Sequence, residues 1–378
     1  MVIIMEYVLF SCGKIKEILI KKGLKPKYIV SFDANEYDTD NIKSIYKLRK
    51  NYNNEKILIP SYISDDIDVD DIYRQFIDLG FENESILFIP IEIILGSSEI
   101  DFKSFYKYSE KTYLNYLEIN IIDSCNMNCK GCSHFANLAL KEIKSFDKYY
   151  ADFIRLKELI PHIFKIRIMG GEPFLNPDLP RYIRMIKDIY PYTDLRVVTN
   201  GLLLKNINED MIKCLIKNNV MLDVSVYPPL YNTIDELVNK LKEKKVKIFL
   251  EHITRFKPIL LEKSQSYPYE KLRDCDYINL QNGCLAACPL PFTINYINNK
   301  YENKYDKKCN LINIYDDVSG FEIKERLKEP FELCDFCAHY RNDLPFFDWK
   351  QKVNDFKLED WVYKKEKKNG IKVLQRKI

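Results

Sequence analysis

The chain opens with short apolar runs that alternate with stretches whose apolar positions recur every three or four residues. Tyr7–Phe10 reads as a buried strand, followed by the turn Ser11-Cys12-Gly13 and a helical pattern at Ile15, Ile18 and Leu19 that stops at Gly23. Tyr28–Phe32, ending in Asp33, and Ile57–Pro60 read as further strands. Ile72, Phe76 and Leu79 share one face of a helix predicted from Asp70 to Leu79, with Gly80 as its C-terminal cap, and Ser85–Ile89 is another buried strand. This alternation over 1–95 predicts a small parallel α/β unit.

Residues 96–116 are polar and aromatic without a clear period and read as a linker. A second alternation then begins. Strands are predicted at Leu117–Ile122, Lys165–Met169, Leu195–Thr199, Met221–Val226 and Lys247–Leu250, with helices at Tyr149–Leu159, Leu179–Tyr190, Met211–Lys217 and Ile234–Glu243. Repeated strand–helix units across 117–264 predict a complete or partial parallel barrel. From 265 to 343 the pattern becomes irregular and cysteine-rich, and a basic, aromatic tail, 344–378, closes the chain.

A length of 378 residues fits two or three domains. Lys and Arg total 58 against 55 Asp and Glu, so the net charge of +3 gives no reason to expect a nucleic-acid or membrane partner. The longest apolar stretch, Ile86–Leu95, contains Glu92 and is too short to span a bilayer. Glu6 interrupts the first apolar run and no basic lead precedes it, so no signal peptide is expected and the cytoplasm is the expected location.

The 11 cysteines are the unusual feature. Cys12 and Cys214 stand alone and read as buried small hydrophobes. Three fall between 125 and 132 and six between 275 and 337. An odd total without a signal peptide argues against a disulfide framework and for metal ligands. Cys125, Cys129 and Cys132 follow directly on the predicted strand Leu117–Ile122, which in a barrel places them at the C-terminal face, where such folds carry their chemistry. Three thiolates complete neither a tetrahedral zinc site nor a four-cysteine cluster. A [4Fe–4S] cluster on three cysteines would keep one iron open for another ligand, and a partial zinc site is the alternative.

This CxxxCxxC triplet resembles the signature of the radical S-adenosylmethionine (radical SAM) superfamily. The resemblance covers about 117–340. It implies an α/β fold built on a partial (β/α)6 barrel, a [4Fe–4S] cluster on Cys125, Cys129 and Cys132, and reductive cleavage of SAM to a 5′-deoxyadenosyl radical that abstracts a substrate hydrogen. Gly170-Gly171-Glu172-Pro173, after the second barrel strand, is similar to the family's GGEP motif, which implies contacts to the methionine amino group. Thr199-Asn200-Gly201 and Ser225 end the third and fourth strands, and the resemblance implies SAM contacts at Asn200 and Ser225. The residue before the third cysteine is usually aromatic in the family and here is Gly131, so the adenine-side packing must come from elsewhere, with Phe135 and Tyr227 as candidates. His134 is a candidate near the cluster or substrate.

The later cysteines resemble the "twitch" form of the SPASM extension. That resemblance implies a second [4Fe–4S] cluster on Cys275, Cys288, Cys334 and Cys337, with a hairpin turn at Asn282-Gly283. Cys284 and Cys309 are spares, and a closed zinc site on Cys284, Cys288, Cys334 and Cys337 is the alternative. The N-terminal unit resembles Rossmann-like leader domains of some sugar-modifying proteins. Ser11 and Lys16 stand where the first and third glycines of a dinucleotide fingerprint belong, so a structural or docking role is preferred over cofactor binding.

These resemblances imply an oxygen-sensitive oxidoreductase or epimerase acting on a carbohydrate or other polyol, supplied with electrons by a flavodoxin- or ferredoxin-type donor. The alternative is a maturase that modifies a peptide or protein side chain by the same chemistry. Glu251, Glu262 and Lys263, near the last barrel strand, are candidate proton acceptors.

Overall fold

The computed structural model describes residues 6–364 apart from 11–12, 32–41, 54, 64–68, 97–98, 108–110, 266–274, 276, 303–304, 306–309, 340, 342 and 352–354. Ser11, Cys12, Asp33, Cys309 and the tail beyond 364 therefore lie outside the described residues.

The N-terminal unit is a five-stranded parallel sheet of β1 (Tyr7–Phe10), β2 (Tyr28–Ser31), β3 (Ile42–Ser44), β4 (Lys56–Pro60) and β5 (Ile86–Ile89). Its spatial order is β3-β2-β1-β4-β5, with the crossover direction reversing between β1 and β4. The apolar strands bury Val8, Leu9, Ile57, Leu58 and Ile59 completely between helical layers. Strand β3 and the helix Ile45–Asn51 had no counterpart in the sequence reading.

The second sheet holds five consecutive parallel strands: β6 (Tyr113–Asn120), β7 (His162–Met169), β8 (Asp194–Thr199), β9 (Met221–Val226) and β10 (Lys247–His252). Strand β6 starts four residues earlier than its apolar run suggests, because Tyr113 and Leu114 already pair with His162 and Ile163. Two short strands, β11 (Arg255–Phe256) and β12 (Leu260–Leu261), leave the sheet. A sixth parallel strand, β13 (Asn279–Gln281), joins beside β6 instead of following β10, and β14 (Cys284–Ala286) and β15 (Ile312–Asn313) extend that edge antiparallel. The β13–β14 hairpin turns on Asn282 (φ 51°) and Gly283 (φ 72°), the left-handed pair that a two-residue turn requires.

Alternation along the strands separates two faces. Leu117, Ile119, Ile166, Ile168, Leu195, Val197, Leu222 and Val224 pack outward in the main core, against helices such as Phe146–Leu159 and Leu179–Ile189. Each such side chain contributes about 1.5–3 kcal/mol on burial. Their neighbours Glu118, Arg167, Met169, Val198 and Ser225 face the opposite way and line a cavity.

The N-terminal unit packs at the strand starts, far from that cavity's cysteine loop. Tyr113 and Phe164 join its core, the Asp70 N–H donates to Tyr113 Oη at 2.9 Å, and Lys324 pairs with Asp70. A third core gathers Phe135, Leu290, Ile294, Leu333 and Trp361 beneath the cysteine-rich region. The C-terminal segment pairs with the short strands after the second sheet: β16 (Phe347–Asp348) pairs with β11, and β17 (Val362–Tyr363) pairs with β12. No helix among the described residues is long and apolar enough to cross a membrane.

Candidate functional site

The cavity at the C-terminal ends of the parallel strands of the second sheet has a volume of about 480 Å³. Cys125, Cys129 and Cys132 lie on the loop after β6 and line it. Burial pushes Cys125 and Cys129 up to about 12, and their neighbouring thiols add to the shift. Burial also pushes Cys132 up, but the hydrogen bond and charge of His134 bring it net below its ordinary value. The Met127 N–H and the Asn200 amide point at Cys125 Sγ, 3.4 and 3.7 Å away.

The loop after β7 presses against this cysteine loop. Gly170 has φ 143°, and a Cβ there would collide with the Ile122 carbonyl; one at Gly171 would collide with that of Ser124. The N–H groups of Gly171 and Glu172 donate to those same carbonyls at 2.8 and 2.9 Å. Gly170 and Gly171 line the cavity. Glu172 and Pro173 do not: Glu172 is fully buried, and its two oxygens accept from Thr199 Oγ1 (2.8 Å), the Phe174 N–H (3.1 Å) and the Asn200 N–H (2.9 Å). Three of that carboxylate's acceptor sites are thus taken by backbone N–H groups and Thr199. Asn200, Ser225 and Tyr227 do line the cavity. Phe135 does not; it is buried 6.1 Å from Trp361.

Cys275, Cys288, Cys334 and Cys337 line the same cavity. They form a second electrostatic group, in which Cys288 is pushed well up by burial and by its three partners, and Cys337 is pushed up to about 12. Cys284 stands apart, on β14, with Asp152 and Asp316 as its charged neighbours. Cys214 is buried beside Asn218 and Arg184. Glu251, Glu262 and Lys263 are exposed and outside the cavity, so their candidacy as proton acceptors is corrected. Among the described residues no three His, Cys, Asp or Glu side chains are gathered as one metal ion requires.

Two charged residues on the cavity wall escaped the sequence reading. Glu118 is 3% exposed; it accepts from Asn279 Nδ2 at 3.1 Å and from Tyr116, and Arg167 stands 3.8 Å away. Arg167 also pairs with Asp223 at 3.3 Å and donates to Tyr116 Oη at 3.0 Å. Their signal was a charge flanked by apolar neighbours in a buried strand, Leu117-Glu118-Ile119 and Ile166-Arg167-Ile168.

A donor set of three loop thiols, an adjoining pair of glycines and a roomy, mainly apolar cavity with a few polar groups fits an iron–sulfur cluster with a small cofactor beside it. Residues 119–259 match the model of the "Radical SAM superfamily". That segment is therefore similar to a radical SAM domain, a family whose enzymes work with a [4Fe–4S] cluster and SAM. GTP 3′,8-cyclase of Campylobacter jejuni subsp. doylei is 28% identical over 250 residues, 60% of this chain and 77% of that protein. Among solved structures, SuiB of Streptococcus suis bound to S-adenosylmethionine is 17% identical with a TM-score of 0.32, covering 43% of this chain and 37% of SuiB. BtrN in complex with AdoMet and 2-DOIA is 16% identical with a TM-score of 0.38, covering 61% of this chain and 95% of BtrN.

Proposed function

We propose that the enzyme oxidises or epimerises a carbohydrate or polyol carbon, with one [4Fe–4S] cluster on Cys125, Cys129 and Cys132 and a second on Cys275, Cys288, Cys334 and Cys337. The observation that carries this reading is the single cavity shared by both cysteine groups and Glu118. When bound, the two clusters and SAM supply the hydrogen-atom acceptor and the electron acceptor that oxidation of an alcohol carbon needs. The chain must supply the acceptor for the hydroxyl proton. Glu118 is the buried carboxylate of the lining, and Tyr116, Asn279 and Arg167 hold it in place. Arg167 can donate to a substrate oxygen, and Gly170, Gly171, Asn200 and Ser225 line the part of the cavity beside the first cysteines, where SAM would sit. Apolar walls such as Met169, Ile259 and Leu290 exclude water from the reacting carbon.

The name of the cyclase relatives raises a nucleoside triphosphate as substrate. Against it stands the charge balance of the lining, where Arg167 and Lys257 are matched by Glu118 and Glu329. A peptide substrate is the second alternative. Anaerobically reconstituted chain is expected to bind about eight irons and to cleave SAM to 5′-deoxyadenosine under a low-potential reductant. Glu118→Gln is expected to retain this cleavage while losing polyol oxidation by about 10²–10⁴-fold. Oxidation of no polyol, with turnover of a nucleotide or peptide instead, would overturn the substrate class; zinc in place of iron would overturn the chemistry.

A further inference from the structure

The wall over the three-cysteine loop comes from a distant part of the chain. Trp349 Nε1 donates to Cys129 Sγ at 3.1 Å. The backbone around it is fixed on both sides: the Lys130 N–H donates to the Lys350 carbonyl at 2.9 Å, Cys129 bridges to Gln351, and the Trp349 N–H donates to the Thr254 carbonyl at 2.8 Å. The indole packs 5.4 Å from the Tyr227 ring, which lines the cavity. Phe347, two residues earlier, fills the space that a side chain at Gly131 would take, with its Cζ 2.6 Å from that Cβ position. Further along, Trp361 Nε1 donates to the Cys132 carbonyl at 3.0 Å. Phe347, Trp349, Lys350, Gln351 and Trp361 all lie beyond the 119–259 segment that matches the radical SAM model.

An N–H donor aimed at a ligating sulfur stabilises the more negative, reduced state of a cluster, because it withdraws charge from the thiolate. We propose that Trp349 is a positioning residue that sets the reduction potential of the cluster held by Cys129, and that the segments 344–351 and 355–363 are working parts of that site. This rests on the reading of Cys129 as a cluster ligand. The indole contact is independent of that reading, since it exists between two side chains of the chain itself.

The test has two readouts on the full chain. In the iron-free protein, a thiol in contact with an indole quenches its fluorescence. Cys129→Ala is expected to raise tryptophan emission at least about 1.5-fold, and Cys214→Ala, as a control, to leave it unchanged. In the second readout Cys334 and Cys337 are replaced by Ala so that one cluster is followed by electron paramagnetic resonance during a redox titration. Trp349→Phe keeps the ring and removes the donor. It is expected to retain the iron of its parent while its reduction equilibrium moves about tenfold toward the oxidised state, which is 59 mV more negative for one electron. Trp349→Ala, which also removes the packing, is expected to lower the iron content.

Unchanged emission in Cys129→Ala overturns the contact and the proposal with it, and it decides the matter if Trp349→Phe fails to fold. A Trp349→Phe potential within twofold of its parent overturns the tuning role. A parent chain that shows the quenching but binds no iron at Cys125, Cys129 and Cys132 overturns the ligand reading instead, and so is distinguishable from both.

Discussion

The backbone N–H of Asn200 donates to Glu172 Oε2 at 2.9 Å, tying the loop after β8 to the loop after β7. Glu172 also accepts from Thr199 and from the Phe174 N–H, and it is fully buried. Its carboxylate is thus a bracket between the two loops that frame the site. The open backbone at Gly170 and Gly171 is what the same motif offers to the cavity.

A pH signature follows for the iron-free chain. Burial pushes Glu172 up to about 7, against the opposing pull of its three hydrogen bonds, from an ordinary value of 4.5. Between these values the folded chain binds a proton that the unfolded chain has released. Its contribution to stability is fully present below pH 4.5 and falls by about 1.4 kcal/mol per pH unit as pH rises. It is spent once the pH has passed the folded value of about 7. Glu172→Gln is expected to flatten this slope in urea titrations across that range. Parallel slopes for the two chains would refute the assignment.

Cys284 and Cys288 lie four residues apart, yet the structure gives them different company. Cys288 is in the cavity with Cys275, Cys334 and Cys337, while Cys284 faces Asp152 and Asp316. Cys288→Ala is expected to remove about four irons from reconstituted protein, as one [4Fe–4S] cluster requires. Cys284→Ala is expected to retain the full complement. Iron analysis of the two variants side by side checks this, and the reverse order would reassign the ligand.

Much of this arrangement was legible in the chain, and the losses have physical causes. The strands Met221–Val226 and Asp194–Thr199 announced themselves because alternating apolar residues and turn residues coincide there. The cysteine spacings announced two groups of cysteines, and both line the one cavity. Glu118, Arg167 and Trp349 were missed for the opposite reason. Their roles come from partners far along the chain: Asn279 for Glu118, Asp223 for Arg167 and Cys129 for Trp349. Strand β13 was missed as a member of the second sheet because three residues carry no period, and its pairing with β6 reveals it.

Gly131 gives a packing prediction. It sits at φ 69°, and a Cβ there would meet Phe347 Cζ at 2.6 Å and the Asp360 carbonyl at 3.0 Å. Gly131→Ala is expected to cost about 1–3 kcal/mol from backbone strain and overpacking together. Phe347→Ala removes the closer obstacle. The double variant should therefore recover part of the loss, with a coupling of at least about 0.5 kcal/mol. Chemical denaturation of the four chains of this cycle measures it, and strict additivity would show that the ring of Phe347 is not what closes the space.

His162 supplies a pH dependence of the opposite sign. It begins β7 at 3% exposure, with its ring 4.4 Å from Phe164 and edge-on to it, and its Nε2 has no hydrogen-bond partner among the described residues. Burial, helped by the charge of Lys157, pushes its pKa down from 6.5 to about 3. Below pH 6.5 the unfolded chain takes up a proton that the folded chain refuses. Stability present above that value is therefore lost as pH falls, at about 1.4 kcal/mol per unit, until the folded group itself titrates. His162→Phe keeps a flat ring in an apolar setting and removes the titrating group. The native chain is expected to lose about 2–3 kcal/mol more than this variant between pH 6.5 and 4.5. Over this window the Glu172 contribution runs the other way, so the sum for the native chain is shallow, and each group is visible only as the difference between the native chain and its own variant. An unchanged difference between native and His162→Phe across the window would show that His162 is solvated enough to charge in the folded state.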